Sequence, residues 1–369
     1  MVWYFCGELI QVKTLFAACI FFCMITISSA VEQVAAVYDG TVLTEDATWR
    51  GSVLVKGFVV VAPQATLRIE PGTIVRFGSA SSGRLPNLVV QGRLNAAGTL
   101  ERPIVLTSDR SGPAPGSWGG IVLLSTEKRN LLERCRIEFA ETGIDVRYST
   151  VTLKEVSLVQ NRTALLSHDG IVRMTGGTVS DAETGIEIYN SEFEGRDMTV
   201  SSCQRGCVLD KSSVVLSALK MLNNRQAGLE AEECRLKITG GEFSGNALGV
   251  RIKGGEGQIV ASIFKGNSQT ALHLLGSRIR IQRCLFAGNS RDALRTEDGR
   301  ALLLNNAFSA NGGFNLYNAG SDVVSARQNW WGTTDRSLIG EKIHDAARDK
   351  NSGAVQVFPW LNEKPPLVP

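Results

Sequence analysis

The chain has 369 residues, and its 39 basic and 36 acidic side chains give a formal net charge of +3. This near-balance offers no argument for DNA binding or for a polyacidic partner. With 43% hydrophobic and 20% charged residues, the composition fits neither a disordered chain nor a membrane protein. The length suggests two or three ordinary domains. This estimate does not apply to a solenoid, which becomes longer by adding coils to a single domain.

Residues 1–30 have the features of a secretory signal peptide. Lys13 precedes the apolar run Leu15 to Ile27, and Ser28-Ser29-Ala30 supplies the small residues at which a signal peptidase cleaves. The run is short for a transmembrane helix, and an uncleaved anchor is the alternative. We therefore expect an exported protein, periplasmic or extracellular, whose mature chain begins at Val31 and has no transmembrane segment beyond the signal peptide.

Three of the eight cysteines would leave with this segment, and five remain: Cys135, Cys203, Cys207, Cys234 and Cys284. An odd number without close spacing argues against a disulfide framework, although Cys203 and Cys207 are close enough in sequence to pair locally. Their spacing is not that of zinc ligands, and no histidine lies nearby. With three histidines and few methionines in the mature chain, copper binding is also unsupported, so we expect no metal and no cofactor.

The main signal is a repeat of 21 or 22 residues between Gly143 and Leu316. One column is aliphatic and follows a column of mostly small residues: Ile144, Leu165, Ile186, Val208, Leu229, Val250, Leu272, Leu294 and Leu316. A second column is apolar and becomes aromatic: Leu158, Val179, Val200, Met221, Phe243, Phe264, Phe286 and Phe308, with Trp330 one period later. A third, polar column lies three residues further on: Asn161, Asp181, Asn224, Asn246, Asn267, Asn289 and Asn311. Three columns in phase indicate a solenoid.

The repeat predicts a parallel β-helix and not a leucine-rich horseshoe. Segments such as 278–281 alternate with the period of two that is typical of strands, and none shows the 3.6-residue period of a helical half-repeat. Equivalent residues on successive coils would stack about 4.8 Å apart. We therefore expect the phenylalanine and asparagine columns to form structural ladders, each asparagine taking the left-handed conformation of a tight turn.

The ends of the repeat set the expected domain organisation. A signal peptide over residues 1–30 is followed by an N-terminal cap over 31–50 and a β-helix of about 12 coils over 51–332. A C-terminal cap is expected over residues 333–363, with a short helix between Ser337 and Lys350. Residues 364–369 would form a disordered, proline-rich tail.

Four short segments resemble those of a known group of proteins: Leu67–Thr73, Gly116–Ile121, Asn329–Thr333 and Phe358–Leu361. They are similar to segments of bacterial right-handed parallel β-helix repeat proteins of the pectin-lyase-like superfamily. The resemblance covers nearly the whole mature chain and implies a single-stranded, right-handed parallel β-helix. It implies no single activity, because the superfamily holds polysaccharide lyases, glycoside hydrolases, epimerases and adhesins.

Motifs for catalysis are incomplete. Arg251-Ile252-Lys253 matches one motif of polygalacturonase-like enzymes, but their Asn-Thr-Asp, Asp-Asp and Gly-His-Gly motifs do not occur. Pectate-lyase-like enzymes would require clustered acids for calcium, and no acid cluster of that type is present.

Residues directly after the aliphatic column are expected to point outward, because side chains alternate along a strand. This outward column reads Asp145, Leu166, Glu187, Leu209, Glu230, Arg251, His273, Arg295 and Tyr317. Two residues further on lie Arg147, His168, Tyr189, Lys211, Glu232, Lys253, Leu275 and Glu297. The ligand-binding candidates for an acidic saccharide are Arg251, Lys253, Arg295, Glu187 and Tyr189, with Glu230 and His273 as candidate catalytic proton carriers. The alternative is an ordinary charged surface whose neighbours neutralise one another.

The favoured function is an exported β-helix with a structural or carbohydrate-binding role in the cell envelope, without catalysis. Its partner would be a polysaccharide or envelope glycan and not a nucleic acid. The alternative is a polysaccharide lyase or glycoside hydrolase acting on an acidic polysaccharide. An enzyme should have a groove walled by the loops Ser79–Pro86 and Arg110–Ser117, whereas a binding or structural module should have a flat flank.

Overall fold

The computed structural model describes residues 36–78 and 84–366, and these form an all-β parallel solenoid of about 13 turns with 2% helix. The fold class predicted from the repeat is therefore confirmed. The predicted signal peptide and most of the loop from Ser79 to Pro86 lie outside the described residues. No helix among the described residues is long and apolar enough to cross a membrane.

Thirty-seven strands and one short helix make up the described chain. In chain order they are β1 (Ala36–Leu43), β2 (Ala47–Trp49), β3 (Ser52–Val61), β4 (Thr66–Ile69), β5 (Ile74–Gly78), β6 (Asn87–Val90), β7 (Arg93–Ala97), β8 (Ile104–Ser108), β9 (Trp118–Leu124), β10 (Asn130–Glu133), β11 (Cys135–Glu138), β12 (Ala140–Arg147), β13 (Thr150–Lys154), β14 (Ser157–Val159), β15 (Thr163–His168), β16 (Ile171–Thr175), β17 (Thr178–Ser180), β18 (Thr184–Tyr189), β19 (Glu192–Arg196), β20 (Thr199–Ser201), β21 (Arg205–Asp210), β22 (Ser213–Ser217), β23 (Lys220–Leu222), β24 (Ala227–Glu232), β25 (Arg235–Thr239), β26 (Glu242–Ser244), β27 (Leu248–Lys253), β28 (Glu256–Val260), β29 (Ile263–Lys265), β30 (Leu272–Gln282), β31 (Leu285–Ala287), β32 (Leu294–Leu304), β33 (Ala307–Ser309), β34 (Leu316–Asn318), β35 (Val324–Ser325), α1 (Arg336–Glu341), β36 (Ile343–His344) and β37 (Val355–Gln356).

Each coil contributes one strand to each of three parallel sheets. The first sheet runs through β6, β9 and β12 to β27, the second through β4, β7 and β10 to β28, and the third through β5, β8 and β11 to β29. Strands β30 and β32 are long and pass through the first and second sheets in turn. Each strand pairs with its counterpart on the next coil, so equivalent residues of successive coils lie side by side.

The aliphatic column lies in the first sheet and faces the interior. The register pairs Ile186 with Cys207 and Cys207 with Leu229, so the prediction of Val208 in this column was wrong by one residue. The column shifts because the crowded position before each aliphatic residue is taken here by Gly206 and not by Cys207. A Cβ at residue 206 would lie 2.4 Å from the carbonyl oxygen of Gly228, so only glycine fits there. Cys207 is 1% exposed, and Val208 points outward instead.

The aromatic column forms a continuous stack in the third sheet. Ring centroids of Phe243, Phe264, Phe286 and Phe308 are 4.7 to 5.0 Å apart, with interplanar angles of 7 to 14°. The stack continues with Trp331, 4.7 Å from Phe308, and not with Trp330 as predicted. Trp330 instead forms a backbone bridge with Ala307, which turns the following side chain into the interior.

The asparagine column fills the turn between the third and first sheets. From Asn224 to Asn311 each side-chain amide donates to Oδ1 of the next asparagine, at distances of 2.9 to 3.3 Å. The left-handed residue is the one before each asparagine, for example Asn223 with φ of 55°, and not the asparagine itself. Asp181 is one of these left-handed, exposed residues, so its predicted place in the polar column was also wrong.

The winding extends beyond both predicted boundaries. Strands β1 and β2 lie within residues 31–50 and pair in parallel with β3 and β4. Strands β36 and β37 lie within residues 333–363 and pair with β34 and β35. The C-terminal helix α1 is shorter than predicted because Asp335 caps its first turn and Lys342 ends it. The Lys342 ammonium group then donates to the carbonyl oxygens of Asn311 and Gly313, each at 3.0 Å.

Candidate functional site

The outward face of the first sheet brings together the residues predicted as a site. Glu230, Arg251, His273 and Arg295 lie on four consecutive coils, in that order. Corrected for the register, the two outward columns contain Val208 and Asp210 where Leu209 and Lys211 were predicted. An open depression of about 640 Å³ lies between Tyr189 and Lys253 on this face.

The charged groups of this face neutralise one another. The ion pairs, with their N to O distances, are Arg147–Asp145 at 2.6 Å, Arg205–Glu187 at 3.2 Å, Arg251–Glu230 at 4.0 Å, Lys253–Glu232 at 2.5 Å and Arg295–Glu297 at 2.8 Å. Arg295 also lies 4.3 Å above the ring of Tyr317, which stacks on His344. Each predicted ligand-binding cation of this face therefore already has an acidic partner.

The two candidate proton carriers do not converge. Glu230 and His273 are two coils apart, a separation of roughly 10 Å between their backbones. His273 Nε2 lies 3.0 Å from Glu297 Oε1, while Glu230 faces Arg251. Partial burial lowers the pKa of His273, although the hydrogen bond to Glu297 acts in the opposite direction. Burial and the neighbouring Glu187 carboxylate raise the pKa of Tyr189.

A second depression, an open groove of about 590 Å³, crosses the second sheet from β22 to β32. We call it the second-sheet groove. One of its rows runs Ser213, Arg235, Glu256, Arg278 and Arg300, and the other runs Val215, Lys237, Gln258, Arg280 and Leu302. Five basic side chains thus line the groove together with a single carboxylate, that of Glu256.

The cations of the second-sheet groove are largely unpaired. Arg235 Nε lies 3.9 Å from Glu256 Oε1, and both side chains are mostly exposed. Within the described parts of the chain, four groove cations have no carboxylate oxygen within 4.0 Å: Lys237, Arg278, Arg280 and Arg300. Exposed cations that lack a local partner remain free to contact an anionic ligand.

Gly257 shapes the floor of this groove. It occupies an inward position between Leu236 and Ile279. All the remaining coils from β13 to β30 carry a larger side chain at this position. A Cβ at Gly257 would lie 2.0 Å from the carbonyl oxygen of Leu236, so β28 approaches β25 too closely for any side chain there. Gly257 is partly exposed, whereas its inward neighbours Leu236 and Ile279 are buried.

Comparison of the sequence with protein families gives two matches. A model described as a periplasmic copper-binding protein (NosD) matches residues 120–345, more than half of the chain. The chain belongs to the NosD family. A model described as a pectate-lyase-like β-helix domain matches residues 40–149, which confirms the resemblance identified in the sequence. Comparison with curated proteins finds no match.

Comparison of this NosD-family chain with solved structures finds matches of low sequence identity. A periplasmic alginate epimerase is 11% identical, with a TM-score of 0.38, and the alignment covers 84% of this chain and 74% of that one. An α-1,3-glucanase from Streptomyces thermodiastaticus is 9% identical, with a TM-score of 0.45 and coverages of 85% and 64%. A mannuronan C-5 epimerase module from Azotobacter vinelandii is 10% identical, with a TM-score of 0.36 and coverages of 90% and 91%.

The described residues do not fit the copper that the family description names. No group of three His, Cys, Asp or Glu side chains is placed to hold a metal ion in the described ranges. His168 lies five coils from His273, and His273 lies three coils from His344, separations of roughly 24 and 14 Å. The five described cysteines and the three described methionines are buried in the core.

Two features were missed by the sequence analysis. The second-sheet groove could have been recognised from the alternation of arginine and isoleucine in residues 278–281, which was interpreted as strand evidence alone. A second asparagine ladder joins Asn306 to Asn329 in the turn between the second and third sheets, with the Asn306 amide 2.9 Å from Asn329 Oδ1. With two described members, that column was too short to be seen as a repeat.

Proposed function

We propose that this chain is an exported β-helix that binds a glycan without catalysing its cleavage. The observation that carries the proposal is the second-sheet groove, a long, open surface with two mostly polar rows and an exposed aliphatic side chain at each end of one row. Sugar-binding surfaces combine polar groups that fix orientation with apolar area that contacts the ring faces. The groove is formed by five strands of the second sheet that lie on consecutive coils, so its side chains are held on a rigid scaffold.

The number and placement of the carboxylates support the proposed absence of catalysis. Glycoside hydrolysis usually requires two carboxyl groups on either side of one bond. Glu256 is the single carboxylate that lines the groove, and it faces Arg235. On the first sheet, Glu230 and His273 are each engaged by other partners and lie on separate coils. These placements favour the binding role over the alternative of a lyase or hydrolase.

Export is part of the same proposal. The predicted signal peptide of residues 1–30 and the description of the family as periplasmic both support it. Fractionation of cells that express the full chain should recover it in the periplasm or the medium, shortened at the bond before Val31. Recovery of the uncleaved chain in the membrane fraction would support the anchored alternative.

The experiment that tests the binding function uses a glycan array probed with the exported protein, followed by incubation with each bound glycan. We expect binding to at least one class of polysaccharide and no release of reducing ends or unsaturated sugars. Measurable turnover would contradict the non-catalytic proposal. Failure to bind any glycan would contradict the binding function itself.

A further inference from the structure

The basic side chains of the second-sheet groove lie in rows that follow the solenoid axis. Arg235, Arg278 and Arg300 lie in one row, and Lys237 and Arg280 lie in the other. Successive coils are about 4.8 Å apart, so each row presents a positive charge at intervals of one or two coils. A ligand that contacts all of these cations must cross the strands and extend along the axis.

The charge of the groove differs from that of the first sheet. On the first sheet each arginine has a carboxylate within 4.0 Å, so the positive and negative charges of that surface compensate one another locally. In the groove, four of the five cations have no such partner among the described residues. A row of unpaired guanidinium groups attracts anions, and each group can bind a carboxylate or sulfate through two parallel hydrogen bonds.

Aliphatic surface accompanies these charges. Val215 and Leu302, at the two ends of one row, are 40% and 37% exposed, and Gly257 lies between them on the floor. Val215 and Leu302 are four coils apart, roughly 19 Å, so each can contact the C–H face of a different sugar ring of one chain. None of the residues that line the groove is aromatic, so it lacks the stacking platforms on which proteins bind single-stranded nucleic acid. The combination favours a charged sugar chain over a polynucleotide.

We infer that the second-sheet groove binds a linear anionic polysaccharide, which lies along the solenoid axis with its acidic groups against Arg278, Arg280 and Arg300. This inference rests on the glycan-binding function proposed above and specifies its ligand. The carboxylates of uronic acids and the sulfate groups of sulfated sugars are both anions that an arginine can bind through two hydrogen bonds. The experiment therefore compares polyuronates with sulfated polysaccharides.

The test measures binding of the exported chain to length-graded polyuronate oligomers, to their carboxyl-reduced neutral counterparts, to a sulfated polysaccharide and to single-stranded DNA. The variant Arg278→Gln/Arg280→Gln/Arg300→Gln removes three groove cations. The matched control, Arg147→Gln/Arg251→Gln/Arg295→Gln, removes three arginines of the first sheet, two of which were candidates in the sequence analysis. Thermal unfolding of both variants verifies that each is folded.

We expect affinity to rise with oligomer length until the chain spans the five coils of the groove, and to fall as ionic strength is raised. The groove variant should lose about tenfold or more in affinity, and the first-sheet variant should change by less than about twofold. The neutral counterparts should bind more weakly than the acidic oligomers.

Equal binding of neutral and acidic oligomers, or an undiminished affinity in the groove variant, would overturn the inference while leaving the glycan-binding function intact. Tighter binding of single-stranded DNA than of any anionic polysaccharide would also overturn it. Failure to bind any glycan, charged or neutral, would instead remove the proposed function on which the inference rests. Tighter binding of either the polyuronate or the sulfated polysaccharide supports the inference, and it shows whether the groove prefers carboxylate or sulfate groups.

Discussion

The side-chain amide of Asn267 donates to Oδ1 of Asn289 on the next coil at 3.0 Å, and it also donates to the carbonyl oxygen of Phe243 at 2.9 Å. Oδ1 of Asn267 accepts the backbone N–H of Asn246 at 3.1 Å. One buried side chain therefore bonds to polar groups on both neighbouring coils and so links three coils. Such groups cost free energy when they are buried without a partner.

Replacing Asn267 by alanine should destabilise the β-helix more than an average surface substitution. The change leaves the N–H of Asn246 and the carbonyl of Phe243 without these partners, and each unsatisfied buried group costs about 1–3 kcal/mol. We expect the free energy of unfolding in urea to fall by about 2–5 kcal/mol. The matched control is Asn362→Ala, at an exposed position, where a change within about 0.5 kcal/mol is expected. Similar losses for both variants would contradict the ladder's role.

The aromatic stack should respond to truncation in the same way. Phe286 is fully buried between Phe264 and Phe308, at centroid distances of 4.7 and 4.9 Å. Phe286→Ala removes both contacts and leaves a cavity, for which a loss of about 3–5 kcal/mol is expected in urea unfolding. Phe358, which is 71% exposed, provides the control, since its truncation should change stability by less than about 1 kcal/mol. A stable Phe286→Ala protein would show that neighbouring coils close the cavity.

The ladders appear in the sequence as repeating columns, whereas the groove leaves only the local alternation of residues 278–281, and the reason is physical. Phe264 and Phe286 occupy a confined interior where each coil must supply a similar shape, so the same residue type recurs in the sequence. Outward positions such as Arg278 and Glu256 meet solvent and one neighbour on either side, so no residue type is imposed and no column appears. Trp331 was missed because the last turn before it is one residue longer than the repeat.

The described cysteines should be unreactive in the folded protein. Burial raises the pKa of Cys135 and of Cys284 to about 12, and that of Cys203 to about 11. The thiolate is the reactive form, so at about pH 8 these thiols remain protonated and shielded. Iodoacetamide followed by peptide mass mapping should find these three thiols unmodified in the native protein and fully modified after denaturation. Rapid modification of the native protein would show that the coils open.

The pKa of His273 should be below its usual value of 6.5, because burial disfavours the charged ring. Between the folded-state pKa and 6.5, the unfolded chain binds more protons than the folded one. The stability contributed by keeping this ring neutral is therefore present above about pH 6.5 and declines as the pH falls below it. The His273→Gln variant should lose less unfolding free energy than the wild type between about pH 7 and pH 5.

Glu297 provides the control for this titration, because its hydrogen bond to His273 opposes the effect of burial. Glu297→Gln should lower the pKa of His273 further, as followed by the ring proton resonances in NMR spectra. The pKa of Glu297 itself is lowered, mainly by the hydrogen bond from Arg295, so its contribution to stability is lost as the pH falls through that lowered value. A His273 resonance that titrates above pH 6.5 would contradict the dominance of burial.

The β-helix should not hold tightly the copper that the family description names. The three histidines lie on separate coils, the described thiols and thioethers are buried in the core, and no group of three His, Cys, Asp or Glu side chains among the described residues is placed to hold an ion. A single exposed imidazole holds copper weakly. We therefore expect the full chain, loaded with copper and then exchanged against a competing chelator, to retain less than one ion per chain.

Two variants separate the possible sources of retained copper. His168→Gln/His273→Gln/His344→Gln removes every imidazole, and we expect it to retain as little copper as the wild type. Cys6→Ser/Cys19→Ser/Cys23→Ser tests the segment outside the described residues. One tightly held ion per chain that disappears in the histidine variant would contradict the geometry of the β-helix, because it would require two imidazoles separated by at least three coils to meet. An ion that disappears in the cysteine variant alone would place copper outside the β-helix and leave the prediction for its coils intact.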